Sequence, residues 1–471
     1  MGKETDKNQN GASLSVKPGS SYFWTGDRVF FWLGDTAWLM FHHLTREEID
    51  QYLINRAKKG FNVIQTVAVH HLPAVNVAGR QAFVDNDVTR PDTRGADSYW
   101  ALVDWTIHRA AQLGLYVAML PHWGNVSDQL TIEDMTAYVH FLSDRYKNEK
   151  NIIWMTGGDI RGDGWPEYWR TMGRILREGG NGRLITYHPF GRTSSLDYFP
   201  QEEWLDFHMF QSGHRRYDQQ SLDSWDDTSS GRYYGEDNWR YVRDGRLLNR
   251  VMPILDGEPS YEHIPQGLHI ESEPYWTPQQ VRRYGWWSVL SGAAGFTYGH
   301  NSIMQFYKGE GPGAFFVRYP WKDALHAPAA AAMCHMAYLM QGIFDELTDR
   351  ARSIGADPAE YVEQSCGPCE RLLTGASAWT DDQRTSRIMA FAADPYILCY
   401  TYEGNPIMLR LPSGGTAGDH CEAWWFDPEN GVKSYAGTVA LSNRPLKFTP
   451  PRGDFNHTDW LLILRLITVR P

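Results

Sequence analysis

Between residues 30 and 300 short apolar runs alternate with longer helical stretches, the pattern of a parallel α/β fold. The strand candidates are FFWLGDTAW (30–38), FNVIQTVAVH (61–70), LYVAMLPHWG (115–124) and NIIWMTGGD (151–159). LITYHPFG (184–191), LDFHMFQSG (205–213), VMPILDGE (251–258) and GFTYGH (295–300) make eight. Helix punctuation lies between them. Thr45 and Glu48 form a capping box opening TREEIDQYLINRAKKG, with Lys58 and Lys59 in its last turn and Gly60 fit to end it. Gln112-Leu-Gly114 repeats that stop before the third strand. Thr277 and Gln280 cap another helix with Pro278 at its first position, ending near Gly295. Eight strand–helix units predict a (β/α)₈ TIM barrel. An open doubly wound sheet is the rival, but no G-x-G-x-x-G follows the first strand.

Segments before strands are short, whereas those after strands two, six, seven and eight are long and rich in aromatics. In a barrel these loops share the C-terminal face, where active sites form. After an apolar helix at about 325–347, residues 348–370 read as a linker. Short strands between turn signals follow: SRIMAFAADP, YILCYTYEG, NPIMLRLPSGG, CEAWWFDPENG, LKFTPP and DWLLILRL. They predict a small antiparallel β-sandwich. The expected organisation is a disordered lead-in over 1–20, a catalytic barrel over 21–350 and a C-terminal β-sandwich over 371–471.

Composition narrows the partners. No stretch approaches the roughly 20 apolar residues of a spanning helix, so no membrane partner is expected. A net charge of −11 disfavours nucleic acid. Twenty Trp and 25 Tyr suit a carbohydrate site, because sugar C–H faces stack on aromatic rings, although most of these side chains will fill core. Cys366 and Cys369 form a C-x-x-C without a second pair, so no zinc site is read, and five sparse cysteines favour a reduced compartment. The start, MGKETDKNQNGASLS, has no apolar signal core. A cytoplasmic location is expected, or a periplasmic or secreted one if a signal has been removed.

The strand ends collect polar groups: Asp35, His70 and His71, His122, Asp159, His188, Gln211 and His214, Glu258, and His300. Glycoside hydrolysis needs two carboxyl groups flanking the bond, one giving a proton to the leaving oxygen and the other attacking carbon or activating water. Asp159 and Glu258 are the best pair. Each ends an apolar run, each follows a glycine (Gly158, Gly257), and strands four and seven face each other across a barrel mouth. Asp159 is read as general acid/base and Glu258 as nucleophile. The bland alternative for each is a structural ion pair or helix cap. Glu262, four residues further along, competes for the nucleophile's role. Asp35 is a candidate for sugar hydroxyls, although a strand-end Asp often caps a turn. About half of the strand-end histidines are expected to touch substrate, and Trp38 and Trp123 are either stacking platforms or core.

The segments FFWLGDTAWLMFHHLTREEIDQYLINRAKKGFNVIQ, NIIWMTGGDIRGDG, LITYHPFGRTSS, FHMFQSGH and PILDGEPSYE resemble the apiosidase-like family of glycoside hydrolases. WWFDPENG and FTPPRGDFNHTDWLLIL resemble the C-terminal domain, labelled collagen-binding, that accompanies its barrel. The resemblance covers nearly the whole chain. It implies a (β/α)₈ barrel cleaving glycosidic bonds of plant cell-wall glycans, with apiose-bearing side chains of the pectin rhamnogalacturonan-II as substrate in the characterised branch. The family's acid/base aspartate maps onto Asp159 in TGGD and its nucleophile onto Glu258 in DGEP. Barrel glycosidases of the larger clan usually carry Asn-Glu at the fourth strand, where this chain has Gly158-Asp159. The shorter acid would require its backbone to sit closer to the glycosidic oxygen.

A retaining glycosidase with no metal and no cofactor is the leading reading. A metal-dependent hydrolase is weaker, because GDTAW lacks the His-x-His of such barrels. A non-catalytic carbohydrate- or collagen-binding protein is the alternative from another class, and the C-terminal domain is expected to pack on the barrel or bind glycan weakly. Oligomeric state is left open.

Overall fold

A computed structural model describes residues 13–219, 233–248, 250–411, 419–442, 444–452 and 457–467. Eight parallel strands form the barrel: β1 (Trp32–Thr36), β2 (Val63–Val69), β3 (Tyr116–His122), β4 (Ile152–Ile160), β5 (Ile185–Pro189), β6 (His208–Gln211), β7 (Ile254–Asp256) and β8 (Gly295–Tyr298). They pair in the order β5-β4-β3-β2-β1-β8-β7-β6, and the gap between β5 and β6 is bridged by the Asp206 N–H bond to the Ile185 carbonyl at 2.9 Å. The outer layer comprises α1 (Arg46–Lys59), α2 (Tyr99–Gln112), α3 (Ile132–Arg145), α4 (Pro166–Gly179), α5 (Asn238–Arg246), α6 (Pro278–Leu290) and α7 (Pro328–Ser353). Only four residues, Ser195–Tyr198, stand as the helix after β5.

The strands read as continuous apolar runs because both of their faces are covered. Their period of two is visible in the packing. Val63, Val67, Ala118, Leu120, Ile153 and Met155 enter the barrel's inner cluster, while Ile64, Ala68, Val117, Met119, Ile152 and Trp154 pack with the helices. The capping boxes at Thr45–Glu48 and Thr277–Gln280 are both formed, and Gly60 ends α1 at φ 89°, a left-handed backbone that favours glycine.

Three expectations shift. Of the lead-in, residues 1–12 lie outside the described residues, but Leu14–Val16 is a strand paired with Phe23–Thr25, which pairs in turn with Arg28–Phe30. Phe23 from this small sheet meets Trp32 and Phe207 at ring-centroid distances of 5.6 and 5.0 Å, plugging the barrel end opposite the mouth. The stretch 348–370 is not a loose linker: α7 runs to Ser353, a helix spans Pro358–Ser365, and Cys366–Pro368 already pairs with Ile388–Ala393. The edge strand Lys433–Ala440 went unread because seven of its eight residues alternate only between exposed and half-buried, leaving no apolar signal.

The C-terminal region has a six-stranded antiparallel sheet facing the pair Ile407–Leu409 and Leu446–Phe448. Alternation divides the large sheet. Ile388, Ala390, Ile397, Cys399, Leu462 and Leu464 meet the small sheet, whereas Met389, Phe391, Leu398, Tyr400, Leu461 and Ile463 join the barrel's core cluster. Trp286 of α6 stacks on Tyr400 at 5.9 Å, and Arg282 of α6 donates to both oxygens of buried Asp459 at 2.9 and 2.8 Å. All five cysteines are buried and unbridged.

Candidate active site

The end of β4 is distorted where the acid sits. Gly157, Gly158 and Asp159 have φ of 86°, 107° and 53°, and the ladder to β5 jumps from Gly157↔His188 to Ile160↔Pro189. Such a bulge re-aims a side chain, and a non-glycine residue at positive φ stores strain that surrounding contacts must hold. The glycines are needed for backbone packing. A Cβ on Gly157 would lie 2.3 Å from the His188 carbonyl oxygen, and one on Gly158 would lie 2.8 Å from the Gly124 nitrogen. Gly257 serves differently, since a Cβ there would strike Met209 Sδ at 2.3 Å. Its carbonyl accepts from Gln65 Nε2 at 2.8 Å, which ties the end of β7 to β2 inside the barrel.

Glu258 is 7% exposed and is met by two imidazoles. His214 Nε2 lies 3.3 Å from its Oε1, and His188 Nε2 lies 3.2 Å from its Oε2. The backbone fixes their tautomers. The Asp159 N–H points to His188 Nδ1 at 3.3 Å, and the Tyr261 N–H points to His214 Nδ1 at 3.4 Å. Each Nδ1 therefore accepts, and each ring carries its proton on the Nε2 that faces the glutamate. Burial would raise the Glu258 carboxyl, but the two histidines outweigh it and hold the group well below the ordinary range. Asp159 moves the other way. Burial, then repulsion from Glu258, pushes its carboxyl well above the ordinary range, only partly offset by the Gln211 side chain and the Gly191 backbone. One cleft therefore holds a carboxylic acid and a carboxylate, which is the division of labour that acid-assisted displacement at a sugar carbon needs.

Aromatic side chains wall this pair. Trp38 packs 5.1 Å from Trp123 and edge-on to His188 at 5.3 Å, and its Nε1 donates to the Tyr261 hydroxyl at 3.0 Å. Half-buried His70 stacks on Trp123 at 5.2 Å, and burial with neighbouring His71 and His43 pushes its imidazole down to about 4. The structure therefore gathers Asp159, Glu258, His188, His214, Gln211, Trp38, Trp123 and His70. Tyr261, which packs against Glu258, is an addition that residue type alone did not signal.

Other strand-end candidates turn away. Asp35 faces the helix layer, fully buried, with Arg56 Nε at 2.5 Å and the Tyr52 hydroxyl at 2.6 Å. It does so because Gly34 and Thr36 take the inward positions of β1. Glu262 is fully buried behind β8, accepting from the Tyr298 hydroxyl at 2.6 Å, so it does not compete with Glu258. His122 spends both nitrogens on the Trp123 carbonyl at 2.9 Å and the Tyr168 hydroxyl at 2.8 Å. His300 Nδ1 caps a helix turn by accepting from the Ser302 N–H at 3.0 Å. Exposed His71 stacks on His42 at 4.5 Å rather than entering the wall. Among the described residues no group of three or more His, Cys, Asp or Glu could hold a metal ion, and no helix is long and apolar enough to cross a membrane.

Known proteins agree with this geometry. Residues 17–345 match the family "Apiosidase-like, catalytic domain", and residues 372–465 match the "Putative collagen-binding domain of a collagenase". A solved glycoside hydrolase is 34% identical, with a TM-score of 0.85 over 98% of each chain. A glycoside hydrolase family 5 structure from Bacteroides vulgatus is also 34% identical, with a TM-score of 0.86 over 98% of this chain and 95% of that one. No curated protein matches the sequence significantly. The chain is a glycosidase and belongs to the apiosidase-like family of glycoside hydrolases.

Proposed function

We propose that this glycosidase acts with retention of configuration on pectic glycans, with Asp159 as general acid/base and Glu258 as nucleophile. The observation that carries the assignment is the opposed displacement of the two carboxyls within one cleft, Asp159 upward and Glu258 downward. In the first step a Glu258 oxygen bonds to the anomeric carbon as the glycosidic C–O bond breaks, and the Asp159 proton goes to the departing oxygen. In the second step Asp159 takes a proton from water, whose oxygen displaces Glu258 from the sugar. His188 and His214 act as positioning residues, since their Nε2–H groups fix and stabilise the Glu258 carboxylate in the free enzyme. The pectic and apiose-containing substrate class comes from the family resemblance and is supported by an aromatic-walled cleft suited to sugar rings.

The test has two parts. Nuclear magnetic resonance of products released from rhamnogalacturonan-II fragments should show terminal apiose first appearing in the anomeric form it held in the substrate. First appearance of the opposite anomer would mean that Glu258 activates water instead, and failure to release apiose would remove the proposed substrate.

A further inference from the structure

The acid of a glycosidase must reach the glycosidic oxygen, so it stands on the leaving group's side of the cleft. Residues that follow the acid directly in the chain flank the sugar that departs. Here they form the five-residue turn from Arg161 to Trp165, between β4 and α4.

That turn is held in place. The Tyr187 hydroxyl donates to the Ile160 carbonyl at 2.9 Å, and Gly162 packs so closely that a Cβ would lie 2.7 Å from carbons of both Tyr198 and Phe199. Arg161 is half-buried, with its guanidinium 4.8 Å from the centre of the Phe190 ring. Phe190 lies two residues beyond His188, so the cation sits between the ends of β4 and β5. The ring covers one face of the guanidinium and leaves its edge N–H groups available. Arg161 forms no ion pair with any described residue, and neither does Asp163, the one acid of the turn. Arginines on other mouth loops are neutralised: Arg80 by Asp97, Arg90 by Asp85, Arg94 by Asp92 and Arg216 by Glu273. Trp165 supplies a second, independent observation. It is 53% exposed, the one exposed tryptophan among the described residues, and it makes no aromatic contact among them.

We propose that this turn is the leaving-group subsite, in which Arg161 binds a carboxylate on the departing sugar and Trp165 stacks against its apolar face. The proposal rests on Asp159 being the acid. A planar guanidinium edge matches a carboxylate with two parallel hydrogen bonds, and the Phe190 stack orients that edge before substrate arrives. In a chain of net charge −11, a local unneutralised cation is what allows an anionic glycan to dock. The ligand class is therefore a uronate-containing oligosaccharide.

Calorimetric titration of the full chain with trigalacturonate and with its methyl ester tests this without turnover. The acid should bind more tightly than the ester. Arg161→Met should weaken trigalacturonate binding about tenfold or more and abolish the preference, while Arg161→Lys keeps part of it. Trp165→Ala should weaken acid and ester by the same factor, because stacking does not sense charge. Thermal melts of each variant establish that it is folded. Equal binding of acid and ester by the unaltered protein, no binding of either, or an unchanged preference in Arg161→Met would each overturn the subsite. Loss of the acid's role would show elsewhere, as turnover surviving in Asp159→Ala.

Discussion

Asp35 and Glu258 both end barrel strands and both are buried, yet the partners that hold them differ in kind. Asp35 faces the helices and meets a full countercharge, Arg56, with neither side chain exposed. Glu258 faces the mouth and is held by imidazoles whose acceptor nitrogens leave them neutral. Position at a strand end therefore does not decide function. The face of the strand does, and so does the charge left behind when the acid is removed. Deleting Asp35 strands a buried guanidinium, whereas deleting Glu258 leaves two uncharged rings beside an open cleft.

The largest expected effect is on turnover. Glu258→Ala and Asp159→Ala should each lower kcat/KM by about 10⁴-fold or more, with the melting temperature nearly unchanged. Steady-state kinetics beside differential scanning calorimetry measures both quantities, and comparable activity in either variant would remove that residue from the chemistry. Next comes the reverse pattern. Asp35→Ala should cost about 3–5 kcal/mol of stability, because Arg56 is left buried without its partner, while the folded fraction keeps its kcat. A small thermal shift with a large loss of kcat would place Asp35 in the reaction after all.

The sequence carried the strands because each is an apolar run covered on both faces, and it carried the helix starts because Thr45–Glu48 and Thr277–Gln280 are local hydrogen-bond devices. It also carried the carboxyl pair, since both acids follow glycines whose missing side chains the packing requires. Side-chain direction was harder to read. Asp35, Glu262, His122 and His300 stand at the same strand ends as the site residues, but their hydrogen bonds lead to helices or to backbone 2 to 67 positions away. Nor could composition reveal that three successive residues at β4 take positive φ, which supplies the forward placement that a short aspartate needs.

A smaller effect should appear in the pH profile. Activity requires ionised Glu258 and protonated Asp159, so the acid limb reports the first group and the alkaline limb the second. His214→Ala removes one donor from Glu258, so the acid limb should move to higher pH while the alkaline limb stays in place. Unmoved limbs would mean that His214 packs beside the glutamate without stabilising its charge.

The smallest effect belongs to the acid itself and is read in stability. The folded-state pKa of Asp159 is raised, so between the ordinary carboxyl range and that higher value the folded protein holds a proton that the unfolded chain has released. Stability must therefore fall as pH rises through that window, by at most about 1.4 kcal/mol per pH unit from this one group. Glu258 has the opposite sign: its lowered pKa gives stability that is present above the ordinary glutamate range and is lost as the solution is acidified. Asp159→Asn removes only the first contribution. Subtracting its melting curve from that of the unaltered protein across pH cancels every other titrating group, and the difference should move against the aspartate as pH rises. A flat difference would mean that Asp159 ionises as it does in the unfolded chain, and the mouth of the barrel would then hold two carboxylates of the same kind as Asp35 rather than an acid facing a nucleophile.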